Sequence, residues 1–391
     1  MSPRSLLQAG ARTLAGLALL PGASSATLLY VASYAGTVTT LNLTGTTPGH
    51  ASLELVASST GCAPNPSWLT LDKAKSTLYC LNEGLNTPNG SLAELGTSPS
   101  GELSLRSTVT TPSGPVSGVI YGSNGSGIAL AEYSGGSISA YSLTGPQPVE
   151  VYAEFFHHNT TEGQNGDRQE ASHPHEAVLD PSGNYLIVPD LGADLVRVWN
   201  VDRKTLSLTP SAPLVAAVGS GPRHVAFLAA GSKTFMYLIS ELANTITVYD
   251  VAYRCDGTLG FDQVFISNTH GDSSTLPPNV TAAEIQLSPD NRFLLVTSRG
   301  ETNLSDPGDP LITFAVDSRT GALAHVQTIG TGGLVPRQFV INRAGTLVAV
   351  GTQGDGKVNV FARDAETGLL TGPVAGVAIE GGQVTCVAFD E

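Results

Sequence analysis

The segment that decides the fold is HPHEAVLDPSGNYLIVPD, at residues 173–190. It consists of a short apolar run, a polar turn with Gly and Asn, and a second apolar run that ends in a polar residue. The same pattern returns in GPRHVAFLAAGSKTFMYLISE (221–241), AAEIQLSPDNRFLLVTSR (282–299) and VPRQFVINRAGTLVAVGTQ (335–353). A strand–turn–strand unit that recurs roughly every 50 residues is typical of a β-propeller, in which each repeat forms one blade.

Seven such units fit the chain, and the later ones begin near Trp68, Ser117, His175, Arg223, Glu284 and Arg337. The first apolar stretch, TLLYVASYAGTVTTLNL, resembles the second and third strands of a unit and lacks the first. The terminal segment QVTCVAF supplies the missing strand, and this pairing leaves no free sheet edge in the ring. The sequence therefore predicts an all-β, seven-bladed β-propeller, closed by its C-terminal strand, as one domain over residues 27–391.

Composition and charge narrow the class of protein. Hydrophobic residues make up 41% of the chain and charged residues 13%, which suits a sheet-rich core and argues against disorder. The net charge is -14 and no Lys/Arg-rich run exists, so nucleic acid is not an expected partner. An anionic small molecule would need arginine side chains close to it.

The N-terminus predicts export. Residues 1–26 combine Arg4 and Arg12, an apolar stretch and small residues near Ala26, which is typical of a secretory signal peptide and too short for a membrane span. A mitochondrial presequence is the alternative. N-glycosylation sequons follow at Asn42, Asn89, Asn124, Asn159, Asn279 and Asn303. We therefore expect a secreted or cell-wall protein that carries N-glycans.

Four cysteines are present, and an even number in an exported chain permits two disulfides. Cys62 and Cys80 fall in one repeat and are the favoured pair, whereas Cys255 and Cys386 are expected to stay free. No cysteine or histidine pair has the spacing of a structural zinc site. We expect neither a metal nor another cofactor.

Alignment of the repeats brings polar residues into two rings. His175, Arg223 and Arg337 share a position in the first strands. The ends of the second strands bring together Tyr34, Glu83, Tyr133, Asp190, Glu241, Arg299 and Gln353. Buried ion pairs often satisfy polar groups in such channels without any catalytic role. Here, however, the charges lie on only some blades and mix proton-transfer groups with anion-binding groups, which indicates a site at one mouth of the channel.

Five of these residues lie in segments that resemble a known family: His175, Arg223, Glu241, Arg299 and Arg337. HPHEAVLDPSG, GSGPRHVAF, ELANTITVYDV, SPDNRFLLVTSRG and GGLVPRQFVINRAG are similar to blades four to seven of the seven-bladed lactonase-type propellers. That family includes fungal 3-carboxy-cis,cis-muconate cyclase and the propeller-type 6-phosphogluconolactonase. The resemblance implies a catalytic set of His175, Arg223, Glu241 and Arg299. The export signal departs from the intracellular metabolism of those relatives and leaves the substrate open.

The resemblance implies a cycloisomerase or lactonase that needs no metal and acts on a small polycarboxylate or lactone. Arg223 and Arg299 would neutralise carboxylates and developing negative charge, and Glu241 or His175 would donate the proton. Substrate binding is expected from Arg337, Glu83, Asp190, Tyr133 and Gln353. Two alternatives remain. One is a non-catalytic cell-wall glycoprotein or adhesin, and the other is a metal-dependent lactonase that would use acidic ligands in the channel.

Overall fold

The computed structural model describes residues 27–47, 49–156, 165–271, 275–277, 279–301 and 307–391. Its strands form seven antiparallel sheets of four strands each, which confirms the predicted seven-bladed propeller. Among the described residues, the single helix is a 3-10 turn at Lys73–Lys75.

The blades are numbered in chain order. Blade 1 contains β28 (Val384–Phe389), β1 (Thr27–Ser33), β2 (Thr37–Thr44) and β3 (Ser52–Ser59). Blade 2 contains β4 (Pro66–Asp72), β5 (Thr77–Asn82), β6 (Gly90–Thr97) and β7 (Leu103–Thr111). Blade 3 contains β8 (Pro115–Tyr121), β9 (Gly127–Glu132), β10 (Ser137–Ser142) and β11 (Val149–Phe155). Blade 4 contains β12 (Val178–Leu179), β13 (Tyr185–Asp190), β14 (Leu195–Val201) and β15 (Leu208–Val215).

The remaining blades follow the same order. Blade 5 contains β16 (Pro222–Ala230), β17 (Lys233–Ser240), β18 (Thr245–Tyr253) and β19 (Leu259–Asn268). Blade 6 contains β20 (Thr281–Leu287), β21 (Phe293–Arg299), β22 (Pro310–Val316) and β23 (Leu323–Gly330). Blade 7 contains β24 (Pro336–Ile341), β25 (Leu347–Thr352), β26 (Lys357–Arg363) and β27 (Leu370–Ala378).

Burial explains why the second strand of each unit is so apolar. Every residue of β5, β9, β13 and β25 is buried, because neighbouring blades cover both faces of the sheet. A strand buried on both faces appears in sequence as a continuous apolar run rather than an alternating one. The fourth strands, such as β11, form the outer rim and are largely exposed.

The ring closes as the sequence predicts. β28 pairs antiparallel with β1, with Val387 opposite Val31 and Ala388 opposite Tyr30. Val387 and Phe389 are buried in an apolar cluster shared by blades 1 and 7. The C-terminal strand therefore joins the first and last blades through both backbone pairing and side-chain packing.

A β-bulge repeats near the start of the first strand in blades 1, 2, 3, 5, 6 and 7. In blades 2, 3, 5 and 7 the extra residue is Ser67, Val116, Arg223 and Arg337, respectively. An isolated bridge between Pro174 and Asp190 corresponds to the Pro222–Ser240 pair of blade 5 and makes His175 the counterpart of Arg223. Bulges turn individual side chains away from the regular pleat. This repeated bulge explains how the first strands direct charged groups into the channel mouth.

Several sequence expectations concern export. The signal peptide, Asn159 and Asn303 lie outside the described residues. Asn89, Asn124 and Asn279 are exposed, whereas Asn42 is half-buried in β2; glycosylation of these sites stays a prediction. Within the described ranges, no helix has the length and apolar character of a membrane span. A disulfide joins Cys62 to Cys80, and Cys255 and Cys386 are free thiols, in agreement with the favoured pairing.

Closure can be tested at Phe389, which is 5% exposed in the cluster between blades 1 and 7. Phe389→Ala should lower the free energy of unfolding by about 3–5 kcal/mol, because it leaves a cavity where the ring closes. The matched control is Phe155→Ala on the outer strand β11, where the ring is 56% exposed and little packing is lost. Urea unfolding measures both. Equal stability losses in the two variants would contradict the importance of this closure.

Candidate active site

Glu241 is the centre of the charged cluster at the channel mouth. Its Oε2 accepts a hydrogen bond from Arg223 Nε at 2.9 Å and pairs with Arg299 Nη2 at 2.9 Å. Its Oε1 accepts from Arg168 Nη2 at 2.6 Å. Glu241 directly follows β17, whereas the three arginines come from β16, β21 and a loop before β12. One buried carboxylate therefore holds three guanidinium groups.

The electrostatics of this cluster fix its protonation. Burial alone would raise the pKa of Glu241, but Arg299, Arg223 and Arg168 outweigh it and lower the pKa to about 2. Burial and the like charge of Arg299 lower the pKa of Arg223 to about 10, which leaves its guanidinium charged at neutral pH. Glu241 is therefore an ionised carboxylate, and the expectation that it donates a proton is wrong for the cluster as folded.

The guanidinium groups of Arg223 and Arg299 also bind the backbone of blade 6. Arg223 Nη1 donates to the Ala283 carbonyl at 2.6 Å, and Arg299 Nη2 donates to the Ala282 carbonyl at 2.8 Å. Because a guanidinium has five N–H donors, neither group is saturated by these contacts. Arg299 Nε is buried and has no hydrogen-bond partner among the described residues. Donors therefore remain for a ligand.

A line of hydrogen bonds crosses three blades beside the arginines. His175 Nδ1 lies 3.1 Å from His224 Nε2, and His224 Nδ1 lies 2.9 Å from Glu284 Oε1. All three side chains are buried. They come from blades 4, 5 and 6, so the line exists only when the three blades pack in order.

The hydrogen bonds determine the tautomers of both histidines. A carboxylate oxygen accepts hydrogen bonds, and Glu284 Oε1 also accepts from the Ile285 N–H at 2.9 Å, which favours the tautomer in which His224 Nδ1 donates to this oxygen. His224 Nε2 is then an acceptor, and His175 Nδ1 donates to it. The Nε2 of His175 consequently carries a lone pair.

Burial also keeps both rings neutral. It lowers the pKa of His175 well below the ordinary value of 6.5, and the charge of Arg223 adds to the effect. Burial lowers the pKa of His224 as well, against the opposing effect of Glu284. At neutral pH, His175 is therefore suited to accept a proton rather than to donate one.

A second charged group lies across the mouth. Arg337 Nη2 is 3.9 Å from Glu83 Oε2, and its guanidinium carbon lies 5.5 Å from the centre of the Tyr34 ring. The Tyr34 hydroxyl donates to the same oxygen of Glu83. Arg337 and His175 also line one small cavity inside the channel with Trp68 and His224. Arg337 and Glu83 thus belong to the site region, as a separate ion pair.

Tyr133 connects the histidines to the arginines. Its ring stacks on His173 with centroids 4.2 Å apart and lies edge-on to His175 at 5.6 Å. Burial raises the pKa of the Tyr133 hydroxyl, and the charge of Arg168 partly offsets this. The structure therefore places Tyr133 beside both the base candidate and the cluster around Glu241.

Two predicted binding residues do not join this group. Asp190 accepts hydrogen bonds from Ser172 Oγ, the His173 N–H and Arg197 Nε, so it supports the loop before β12. Its pairing with Pro174 shows that it lies one residue before the true ring position, and a shift of one residue points a strand side chain to the opposite face. Gln353 is half-buried at the end of β25, and its N–H donates to the Val335 carbonyl at 2.8 Å. No contact between Gln353 and the cluster is seen in the described part of the chain.

Sequence reasoning missed three members of the site: Arg168, His224 and Glu284. Arg168 lies in a loop that has no counterpart in other blades, so the repeat gave no signal. His224 and Glu284 did have one, because both follow the bulge position directly. Alignment of the residue that follows the bulge in each first strand would have grouped His224 and Glu284 with Glu176 and Gln338.

Comparison with known proteins identifies the family. The family model described as "Lactonase, 7-bladed beta-propeller" matches residues 28–389. The chain belongs to this family. Among its relatives, a "Probable 6-phosphogluconolactonase" of Arthroderma benhamiae is 28% identical over 391 residues, covering 98% of this chain and 92% of the relative. The 6-phosphogluconolactonase of Bacillus subtilis is 32% identical over 206 residues, covering 52% of this chain and 54% of the relative.

A solved structure gives the same result. The periplasmic gluconolactonase PpgL of Pseudomonas aeruginosa is 28% identical, with a TM-score of 0.78 and coverage of 93% of this chain and 99% of the other. The predicted lactonase-type family is thereby confirmed, and this chain is a lactonase-type enzyme. The roles of its individual site residues stay proposals, which the geometry above supports to different degrees.

The role of Glu241 as the shared partner of Arg168, Arg223 and Arg299 can be tested by measuring the free energy of unfolding. Glu241→Gln should lower the free energy of unfolding by about 3–5 kcal/mol, because three guanidinium groups lose their buried counter-charge. The control is Glu366→Gln, whose partner Arg292 is 48% exposed, where a change below about 1 kcal/mol is expected. Urea unfolding at neutral pH distinguishes them. A Glu241→Gln variant as stable as the control would contradict this account.

The stability difference between the native chain and Glu241→Gln should also depend on pH. The folded pKa of Glu241, about 2, lies below the ordinary 4.5, so its stabilising effect is complete above pH 4.5 and is lost as the pH falls toward 2. The stability difference between the native chain and Glu241→Gln should shrink over this range by about 3 kcal/mol. Urea unfolding at a series of pH values measures it. A difference that stays constant on acidification would show that Glu241 is not held ionised.

Proposed function

We propose that this protein opens the ring of a small anionic lactone by hydrolysis. The observation that carries the proposal is the neutral His175, whose Nε2 lone pair is fixed by His224 and Glu284 beside the Arg223 and Arg299 guanidinium groups. A general base next to fixed positive charge is the arrangement that ester hydrolysis requires. The names of the relatives, 6-phosphogluconolactonase and gluconolactonase, support the same reaction class.

The residues divide the work as follows. His175 Nε2 takes a proton from water, and the resulting hydroxide attacks the lactone carbonyl carbon. The imidazolium that forms is stabilised through His224 by Glu284. Arg223 and Arg299 stabilise the negative charge on the carbonyl oxygen with their remaining N–H groups. The ring C–O bond then breaks, and His175 returns the proton to the leaving oxygen, which yields a hydroxy acid.

Lactone formation in the manner of 3-carboxy-cis,cis-muconate cyclase is less well supported. That reaction adds a carboxylate across a C=C bond and needs a proton donor for the neighbouring carbon. Glu241 is held ionised with a pKa of about 2, and burial lowers the pKa of His175, so neither is a good acid near neutral pH. We therefore favour ring opening over ring closure as the reaction of this site.

Two further parts of the proposal concern where the protein is located and whether it needs a metal ion. Secretion, with N-glycans on exposed sequons, is proposed from the N-terminal sequence alone. Metal independence is proposed because Glu241 and Glu83 are engaged by arginines and Glu284 is engaged by His224. In the part of the chain that the structure describes, no group of three or more His, Cys, Asp or Glu side chains is arranged to hold a metal ion. Activity that survives a chelator would support this part, and its loss would contradict it.

The test is a lactone panel, with glucono-lactone, 6-phosphoglucono-lactone and a carboxylated γ-lactone, assayed on the full protein. His175→Ala should lower kcat by about 100- to 10,000-fold, because the general base is lost. Arg299→Ala should lower kcat/KM through loss of charge stabilisation. The matched control, His325→Ala on the exposed strand β23, should retain native activity.

The pH profile provides a second readout. Because the folded pKa of His175 is lowered, its basic form persists below pH 6.5, so kcat/KM should stay level from pH 8 to below 6.5 and fall only in more acid solution. A decline centred at or above the ordinary histidine pKa would argue against this base. Failure of the native protein on all three lactones would favour the non-catalytic cell-wall alternative.

A further inference from the structure

Arg168 differs from the other arginines of the site in its exposure. Its side chain is 41% exposed, whereas that of Arg223 is 2% exposed and that of Arg299 is 15% exposed. Its backbone is nevertheless fixed. The next residue, Gln169, is buried and donates through Nε2 to the Leu191 carbonyl and to Asp194 Oδ1, each at 2.9 Å. Arg168 is thus a long, partly solvated side chain on an anchored loop.

Its bond to Glu241 can be broken without leaving a buried charge unpaired. Arg168 binds Oε1, whereas Arg223 and Arg299 both bind Oε2. If Arg168 turns away, Glu241 keeps two cationic partners and remains ionised. The Arg168 side chain is 41% exposed, so its guanidinium can be hydrated when it leaves Oε1, whereas Glu241 is only 2% exposed and loses this one hydrogen bond. Arg168 is therefore the one partner of Glu241 that is available to bind another anion.

The surroundings of Arg168 favour an anionic ligand. The four arginines of the mouth, Arg168, Arg223, Arg299 and Arg337, share the carboxylates of Glu241 and Glu83. The guanidinium groups are concentrated at one mouth of a chain whose net charge is -14, where Glu284 and Glu170 also lie. A local positive field in a cleft raises the concentration of anions there. Tyr133 lies between Arg168 and His175, which places the Arg168 side chain near the proposed base.

We propose that Arg168 is the specificity-determining residue for the anionic substituent of the substrate. Its guanidinium exchanges Glu241 Oε1 for a carboxylate or phosphate carried by the lactone, away from the carbonyl carbon that the hydroxide attacks. Arginine suits both groups because its planar N–H pairs match their oxygens. The inference rests on the proposed lactonase reaction and adds to it the selection of charged over neutral lactones.

The experiment compares three substrates on Arg168→Gln, Arg168→Lys and the control Arg254→Gln, which alters an exposed arginine in the turn after β18. The substrates are neutral glucono-lactone, 6-phosphoglucono-lactone and a carboxylated γ-lactone. Arg168→Gln should raise KM about 10- to 100-fold for the charged lactone that the native protein prefers, the effect expected for a lost charge-assisted hydrogen bond. KM for the neutral lactone and kcat for both should hardly change. Arg168→Lys should recover part of the loss, and Arg254→Gln should behave as the native protein.

The outcomes separate this inference from the reaction itself. A KM effect confined to the phosphorylated or to the carboxylated lactone supports the inference and identifies the anion. Equal losses on charged and neutral lactones, or no loss at all, overturn it while leaving the lactonase proposal intact. If the native protein opens none of the lactones, the proposed reaction fails, and calorimetric titration with 6-phosphogluconate and gluconate decides the anion site. Weaker binding of 6-phosphogluconate alone in Arg168→Gln supports it, and unchanged binding overturns it.

Discussion

A single buried carboxylate makes the charged mouth of this propeller possible. Burial and the nearby charge of Arg299 lower the pKa of Arg223, and both side chains are largely removed from water. Without Glu241 between them, the desolvation and mutual repulsion of these cations would oppose packing of blades 5 and 6. With it, the cations stay charged in a place where their field acts on a ligand rather than on bulk water. The site depends on this compensation more than on any single hydrogen bond.

The propeller provides the geometry that brings these groups together. Each blade contributes the same bulged position and the residue after it, so neighbouring blades offer equivalent side chains that are already close in space. The line from His175 through His224 to Glu284 steps across blades 4, 5 and 6 in this manner. It holds the imidazole of His175 through Nδ1 and leaves Nε2 for the channel. A chain of residues far apart in sequence thereby acts as one unit.

The repeat reveals some site residues and hides others for clear reasons. His175, Arg223, Glu241 and Arg299 stand at positions where the blades can be aligned. The charges of His175 and Arg223 are conspicuous there, because other units have Ser67, Ala283 or Thr385 at the same position. Asp190 looked equivalent but lies one residue early, which turns it toward Arg197 and the preceding loop. Arg168 could not be found at all, because its loop has no aligned counterpart and is held near Glu241 by tertiary contacts, including those of Gln169 with Leu191 and Asp194.

The sequence by itself determined the number of blades, the closing strand and the alignment of His175, Arg223 and Arg337, because strand period and turn residues are local properties that recur along the chain. Protonation was decided only by the tertiary structure. Whether a glutamate is an acid or a fixed counter-ion, and whether a histidine gives or takes a proton, depends on burial and on charges contributed by other blades. Distance in space, which no single strand encodes, brings Glu241 between the arginines and places His175 where we propose that it acts as a base.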